Sequence, residues 1–106
     1  SRKYINMSAM IEENNVALPS TNSLQHAAKI ALVEDKKIMM DYWLESSKEE
    51  AYIGVRENQE KLLIKGDGDE YTSPITKVYK VSNEFLVVTE NSIYLVSSSV
   101  PTKRIV

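Results

Sequence analysis

The sequence predicts an α+β, mainly β fold: one alanine-rich helix packed on a small six-stranded antiparallel barrel or sandwich. Three observations carry this reading. A helical repeat of apolar residues over 24–33 gives way after Lys37 to two-residue alternation. The alternating segments are short, and their connections are tight enough for antiparallel neighbours to pair. No helical segment stands between the strands, so the chain does not read as βαβ units. Closing such strands into a barrel or stacking them as a sandwich protects their edges.

Residues 1–19 are read as an arm or short helix, and 20–106 as a single helix-plus-antiparallel-β domain. Tyr4, Met7, Met10 and Ile11 fall at helical spacing, and EENN at 12–15 ends that pattern. Ser20, Thr21, Asn22 and Ser23 after Pro19 offer side-chain oxygens for the unpaired amides of a first helical turn. The helix then sets Leu24, Ala27, Ala28, Ala31 and Leu32 on one side. It ends near Val33 to Asp35, with Lys36 and Lys37 suited to the negative end of its dipole.

KIMMDYWL (37–44) alternates Ile38, Met40, Tyr42 and Leu44 against Met39, Asp41 and Trp43, the pattern of a first strand. AYIGVR and KLLIK follow across polar turns, and Gly54 marks a bend, a bulge or a close backbone approach. GDGDEYTSP is read as irregular. ITKVYKV, EFLVVTE and SIYLVSS complete the set, and Pro101 ends the last strand or confines it to an edge.

Ser82-Asn83 as a two-residue turn sets Val81 opposite Glu84, Tyr79 opposite Leu86 and Val78 opposite Val87. Asn91-Ser92 is expected as the second turn, pairing Val88 with Leu95 and Val87 with Val96; a Glu90-Asn91 turn is expected to reverse the faces of the last strand. One face then carries Ile75, Tyr79, Val81, Leu86, Val88, Ile93 and Leu95 and belongs to the core. The other carries Val78, Phe85, Val87, Tyr94 and Val96, a half-apolar surface suited to the helix or to a partner.

The bulk chemistry narrows the function. The chain has 106 residues, 42% hydrophobic and 26% charged, with thirteen basic and fifteen acidic side chains. That balance supplies no global field for nucleic acid or an anionic membrane. The absence of cysteine excludes disulfides, thiolate nucleophiles and cysteine-ligated zinc. No apolar run approaches the ~20 residues that cross a bilayer. The N-terminus lacks the apolar core of a signal peptide, and a cytoplasmic location is expected.

No catalytic constellation is read. His26 is the one histidine, on the helix beside Gln25 and Ala27, and no serine stands in a nucleophile-elbow setting. Three glycines in the whole chain do not build a phosphate loop. Asp67, Asp69 and Glu70 offer hard oxygens, but their loop lacks the calcium-hand pattern, so no metal and no cofactor are assigned.

Two binding readings remain. In the favoured one the chain is a non-enzymatic protein-binding or assembly module, homo-oligomeric, with Met39, Trp43, Phe85 and Tyr94 as interface anchors, since aromatic residues and Met are enriched at interfaces. In the alternative it is an Sm-like or OB-like small barrel that binds single-stranded nucleic acid. There Lys61, Lys65, Lys77 and Lys80 would meet phosphates, and Tyr42, Trp43, Tyr52, Tyr79, Phe85 and Tyr94 would stack bases.

DEYTSPI (69–75) and TENSIYLV (89–96), with DYW at 41–43, give the second half of the chain a resemblance to small uncharacterised proteins of large DNA viruses or phages. The resemblance implies no activity and transfers no functional residue. It is compatible with a structural, packaging or host-interaction protein, placed in a host cytoplasm or a virion.

Overall fold

The computed structural model describes residues 17–105. The expectation of an arm or helix over 1–19 falls, for residues 1–16, outside the described residues. Helix α1 (Thr21–Glu34) begins where the capping oxygens predict: the Ser20 hydroxyl accepts from the Ser23 amide. It ends at Asp35, whose φ of 53° puts it in the left-handed region that terminates helices. Among the described residues, no helix is long and apolar enough to cross a membrane.

The strands are β1 (Lys37–Met39), β2 (Ala51–Val55), β3 (Lys61–Lys65), β4 (Glu70–Tyr71), β5 (Ile75–Val81), β6 (Glu84–Thr89), β7 (Ser92–Ser97) and β8 (Thr102–Arg104). They form two four-stranded sheets, ordered β1-β7-β6-β5 and β4-β3-β2-β8. The fold is therefore mainly β with α+β character, as predicted, but the expected six-stranded, wholly antiparallel set is corrected to eight strands in two mixed sheets. β1 pairs parallel with β7, and β8 pairs parallel with β2. Each sheet keeps two open edges, so no closed barrel forms among the described residues.

The first hairpin has the predicted register, with Val81 opposite Glu84, Tyr79 opposite Leu86 and Val78 opposite Val87. Ser82 carries the positive φ, 53°, that the tight turn demands. The second hairpin differs. Val88 pairs with Ile93 and Leu86 with Leu95, so the turn is Glu90-Asn91 rather than Asn91-Ser92. The Thr89 hydroxyl selects it by accepting from the Ser92 amide and lying 3.3 Å from the Ser92 carbonyl. The faces are not reversed, because moving a two-residue turn by one position shifts the pairing by two residues, a whole side-chain period.

Both faces of the β5-β6-β7 meander are covered. Leu86, Val88, Ile93 and Leu95 pack with Ala27 of α1, with Ile30, Ala31 and Val81 against them. On the opposite face Val87 and Val96 share a core with Ala51, Ile53 and Leu63 of the second sheet, joined by Phe85, Tyr94 and Ile75. The half-apolar face thus receives a sheet, and the helix lies on the other one. Ile75 changes face because a bulge interrupts the β5-β6 register between Ile75 and Lys77.

KIMMDYWL is a strand only to Met39. A turn follows, and then a short helix α2 (Trp43–Ser47) in which Trp43 and Ser46 are both buried. The Trp43 amide bonds the Met40 carbonyl and the Ser46 hydroxyl bonds the Trp43 carbonyl, local bonds that compete with a continued strand.

Candidate functional site

The four predicted interface anchors lie near the non-helical face of β7. Met39 pairs with Tyr94, and Phe85 with Val96. Phe85 and Tyr94 are half-buried against the core shared by the two sheets, where Tyr94 meets Tyr42 edge-to-face at 5.3 Å. Burial raises the Tyr94 phenol, and burial followed by the Asp41 charge raises that of Tyr42. Trp43 keeps only 8% of its surface exposed, and its indole N–H donates to the Ala17 carbonyl at 2.8 Å. The placement of Trp43 on an outward strand face is thus corrected: α2 turns it inward.

The four lysines of the nucleic-acid reading separate. Lys65 is engaged, donating to the Asp41 carbonyl at 2.7 Å, pairing with Glu70 and lying 4.7 Å above the Tyr42 ring. Lys61 is exposed at the start of β3, and Lys77 and Lys80 are exposed on β5. Of the six aromatics expected to stack bases, only Tyr79 is exposed, at 38%.

Asp69 and Glu70 line a depression of about 330 Å³ with Glu45, Glu50 and Lys65. Among the described residues, no three His, Asp or Glu side chains converge as metal ligands would.

Two surface features were not predicted. The buried stripe of α1 is Ser23 and Ala27, flanked by Ile30 and Ala31, which leaves Leu24, Ala28 and Leu32 facing outward. The cause is Ser23, whose hydroxyl donates to the buried Glu84 carboxylate at 2.7 Å and lies 3.0 Å from the Val81 carbonyl. That anchor rotates the helix away from the purely apolar solution. Leu24 and Leu32 are 37% and 85% exposed. Their i, i+4, i+8 spacing places them in one row with Ala28. Ile38 pairs with Ile93, so it faces the same side of the sheet as α1 and extends the strip onto edge strand β1. The other flank of α1 borders a groove beside β5, lined by His26, Lys29, Ile30, Tyr79, Lys80, Val81 and Leu86. The one available signal was Ser23 itself, a small hydroxyl four residues before Ala27.

Comparison of the chain with protein-family models, curated proteins and solved structures finds no match, so the functional reading rests on the surface of the molecule.

Proposed function

We propose that the chain is a non-enzymatic protein-binding module that self-associates through α1, a reading that agrees with the structural, packaging or host-interaction role with which its sequence resemblance is compatible. The observation that supports this is the exposed row Leu24, Ala28 and Leu32, continued by Ile38. Thr21, Gln25 and Lys29 flank it, so the row itself is uncharged and one lysine stands at its border beside Leu32. A contiguous apolar strip of this kind marks an interaction surface, whereas scattered apolar residues do not.

The row is self-complementary. Two α1 helices meeting antiparallel about a two-fold axis set Leu24 of one against Leu32 of the other, with Ala28 against Ala28 at the centre. The small central residue lets the helices approach, and the uncharged row desolvates while Lys29 keeps its ammonium at the rim in water. Met39, Phe85 and Tyr94 support the β7 side of the domain, and their contribution to assembly is indirect.

Sedimentation equilibrium tests the reading. The wild-type chain is expected to be a dimer, and Leu32→Glu, a change at a site without internal contacts to lose, is expected to be a monomer of unchanged melting temperature. A wild-type chain that stays monomeric at high concentration refutes self-association.

A further inference from the structure

β5 is the end strand of its sheet, and at seven residues it is the longest strand described. Alternate residues of an end strand aim their backbone N–H and C=O groups away from the neighbour they pair with, here β6. No described strand is hydrogen-bonded on that outer side, although β3 approaches the start of β5. Beside the same edge, α1 leaves the groove introduced above, about 340 Å³ in volume. Ile30, Val81 and Leu86 give it apolar walls and Lys29 and His26 give it basic ones, while Lys80 borders it from a strand position opposite Phe85, whose side chains belong to the other face of the sheet. Among the described residues, no carboxylate lines it. Lys77 adds a further positive charge on the strand, and Asn22 closes one end by donating to the Ser82 hydroxyl.

We infer that β5 and this groove take an extended acidic segment of a partner protein, which adds to the sheet as a further strand and sends alternate side chains between α1 and β5. The open edge supplies the backbone bonds, the groove supplies pockets for alternate residues, and the lysines supply the choice of charge. A second copy of β5 does not suit this edge, because self-pairing brings Lys77 and Lys80 of both copies together. Lysines blunt an edge against its own kind in this way while leaving it attractive to an acidic strand. Single-stranded nucleic acid fits less well, since it binds by successive stacking platforms and Tyr79 is the one aromatic among the described residues that line the groove. The surface is separate from the Leu24-Ala28-Leu32 row, so either reading stands or falls without the other.

The test uses three labelled probes at low salt: a heptapeptide alternating glutamate and valine, its lysine-valine counterpart, and a single-stranded oligothymidylate. The glutamate peptide is expected to bind at least about tenfold more tightly than the lysine peptide, and Lys77→Glu with Lys80→Glu is expected to invert that order. N-methylating alternate amides along one edge of the glutamate peptide is expected to abolish binding, while methylating the other edge leaves it intact. Thermal melting confirms that the double variant is folded, and Leu32→Glu is expected to bind the peptide as the wild type does. The inference is overturned if the glutamate peptide fails to bind, if it binds no better than the lysine peptide, or if methylation of neither edge matters. Binding of oligothymidylate in place of the peptide overturns it in favour of a nucleic-acid ligand.

Discussion

The Ser23 hydroxyl donates to Glu84 Oε1 at 2.7 Å across 61 residues of sequence, joining the first turn of α1 to the start of β6. The Ser20 hydroxyl reaches the same oxygen at 2.7 Å and the Ser20 amide at 3.3 Å, so one carboxylate oxygen gathers three donors. Burial pushes the Glu84 carboxyl up, but the bonds from Ser23 and Ser20 outweigh it, and the group titrates below the ordinary 4.5. A carboxyl depressed in the folded state contributes stability above its unfolded pKa and loses that contribution as pH falls through the lower, folded value. The wild-type melting temperature should therefore drop on acidification below about pH 4.5. Glu84→Gln should lower the melting temperature at pH 7 and flatten this acid limb. A Glu84→Gln profile parallel to the wild type would show that other groups set the acid response.

Ser23→Ala removes one of those donors from a buried charge, at a cost of about 1–3 kcal/mol in chemical denaturation. It also removes the anchor that sets the helix rotation. The row Leu24, Ala28 and Leu32 is then free to turn toward the sheet, so hydrogen exchange along α1 should accelerate and self-association should weaken together.

Trp43 belongs to folding before it belongs to assembly. Its buried ring and its bond to the Ala17 carbonyl predict that Trp43→Ala costs about 3–5 kcal/mol, and that Trp43→Phe costs less because the ring volume is largely kept. As the chain's single tryptophan it should emit at short wavelength in the native state and shift red on unfolding. A native emission maximum like that of free indole would place it outside the core.

What the sequence disclosed is what local chemistry decides. Ser20 caps α1 because a hydroxyl there meets unpaired amides, and Ser82-Asn83 closes the first hairpin because two alternating runs leave two residues between them. The β1-β7 and β2-β8 pairings join segments far apart along the chain, and no local pattern specifies a parallel neighbour. The helix face departs from its apolar pattern for the same reason: apolar spacing favours Leu24 and Leu32, while the residue that sets the rotation, Glu84, stands on another element. Trp43 shows the limit of a period. KIMMDYWL alternates as a strand would, yet the bonds that Trp43 and Ser46 make locally fold its second half into a turn and the start of a helix.

Thr89 fixes the second turn by a single hydroxyl. Thr89→Val keeps the shape of the side chain but strands the Ser92 amide, and should cost about 1–3 kcal/mol. It also removes what distinguishes the Glu90-Asn91 turn from the Asn91-Ser92 turn, which faces the same residues inward. Cross-strand amide contacts in NMR should then report both registers, Val88 opposite Ile93 and Val88 opposite Leu95, where the wild type reports only the first.

Gly54 is a question of space rather than of backbone freedom. A Cβ at this position would lie 2.5 Å from Ile64 Cδ1 and 3.0 Å from Ile105 Cδ1, one across the β2-β3 pair and one beyond β8. Both are the far ends of side chains, so Gly54→Ala is accommodated by rotating them at a cost of about 1–3 kcal/mol, typical of overpacking. Ile64→Val alone should cost about 0.5–1.5 kcal/mol, the loss of one buried methyl. Because the methyl it deletes is the one that the new Cβ meets, Gly54→Ala combined with Ile64→Val should cost less than the two single changes added together. A strictly additive pair in urea denaturation would mean that Ile105 and the β2-β8 pairing, rather than Ile64, hold position 54 to glycine.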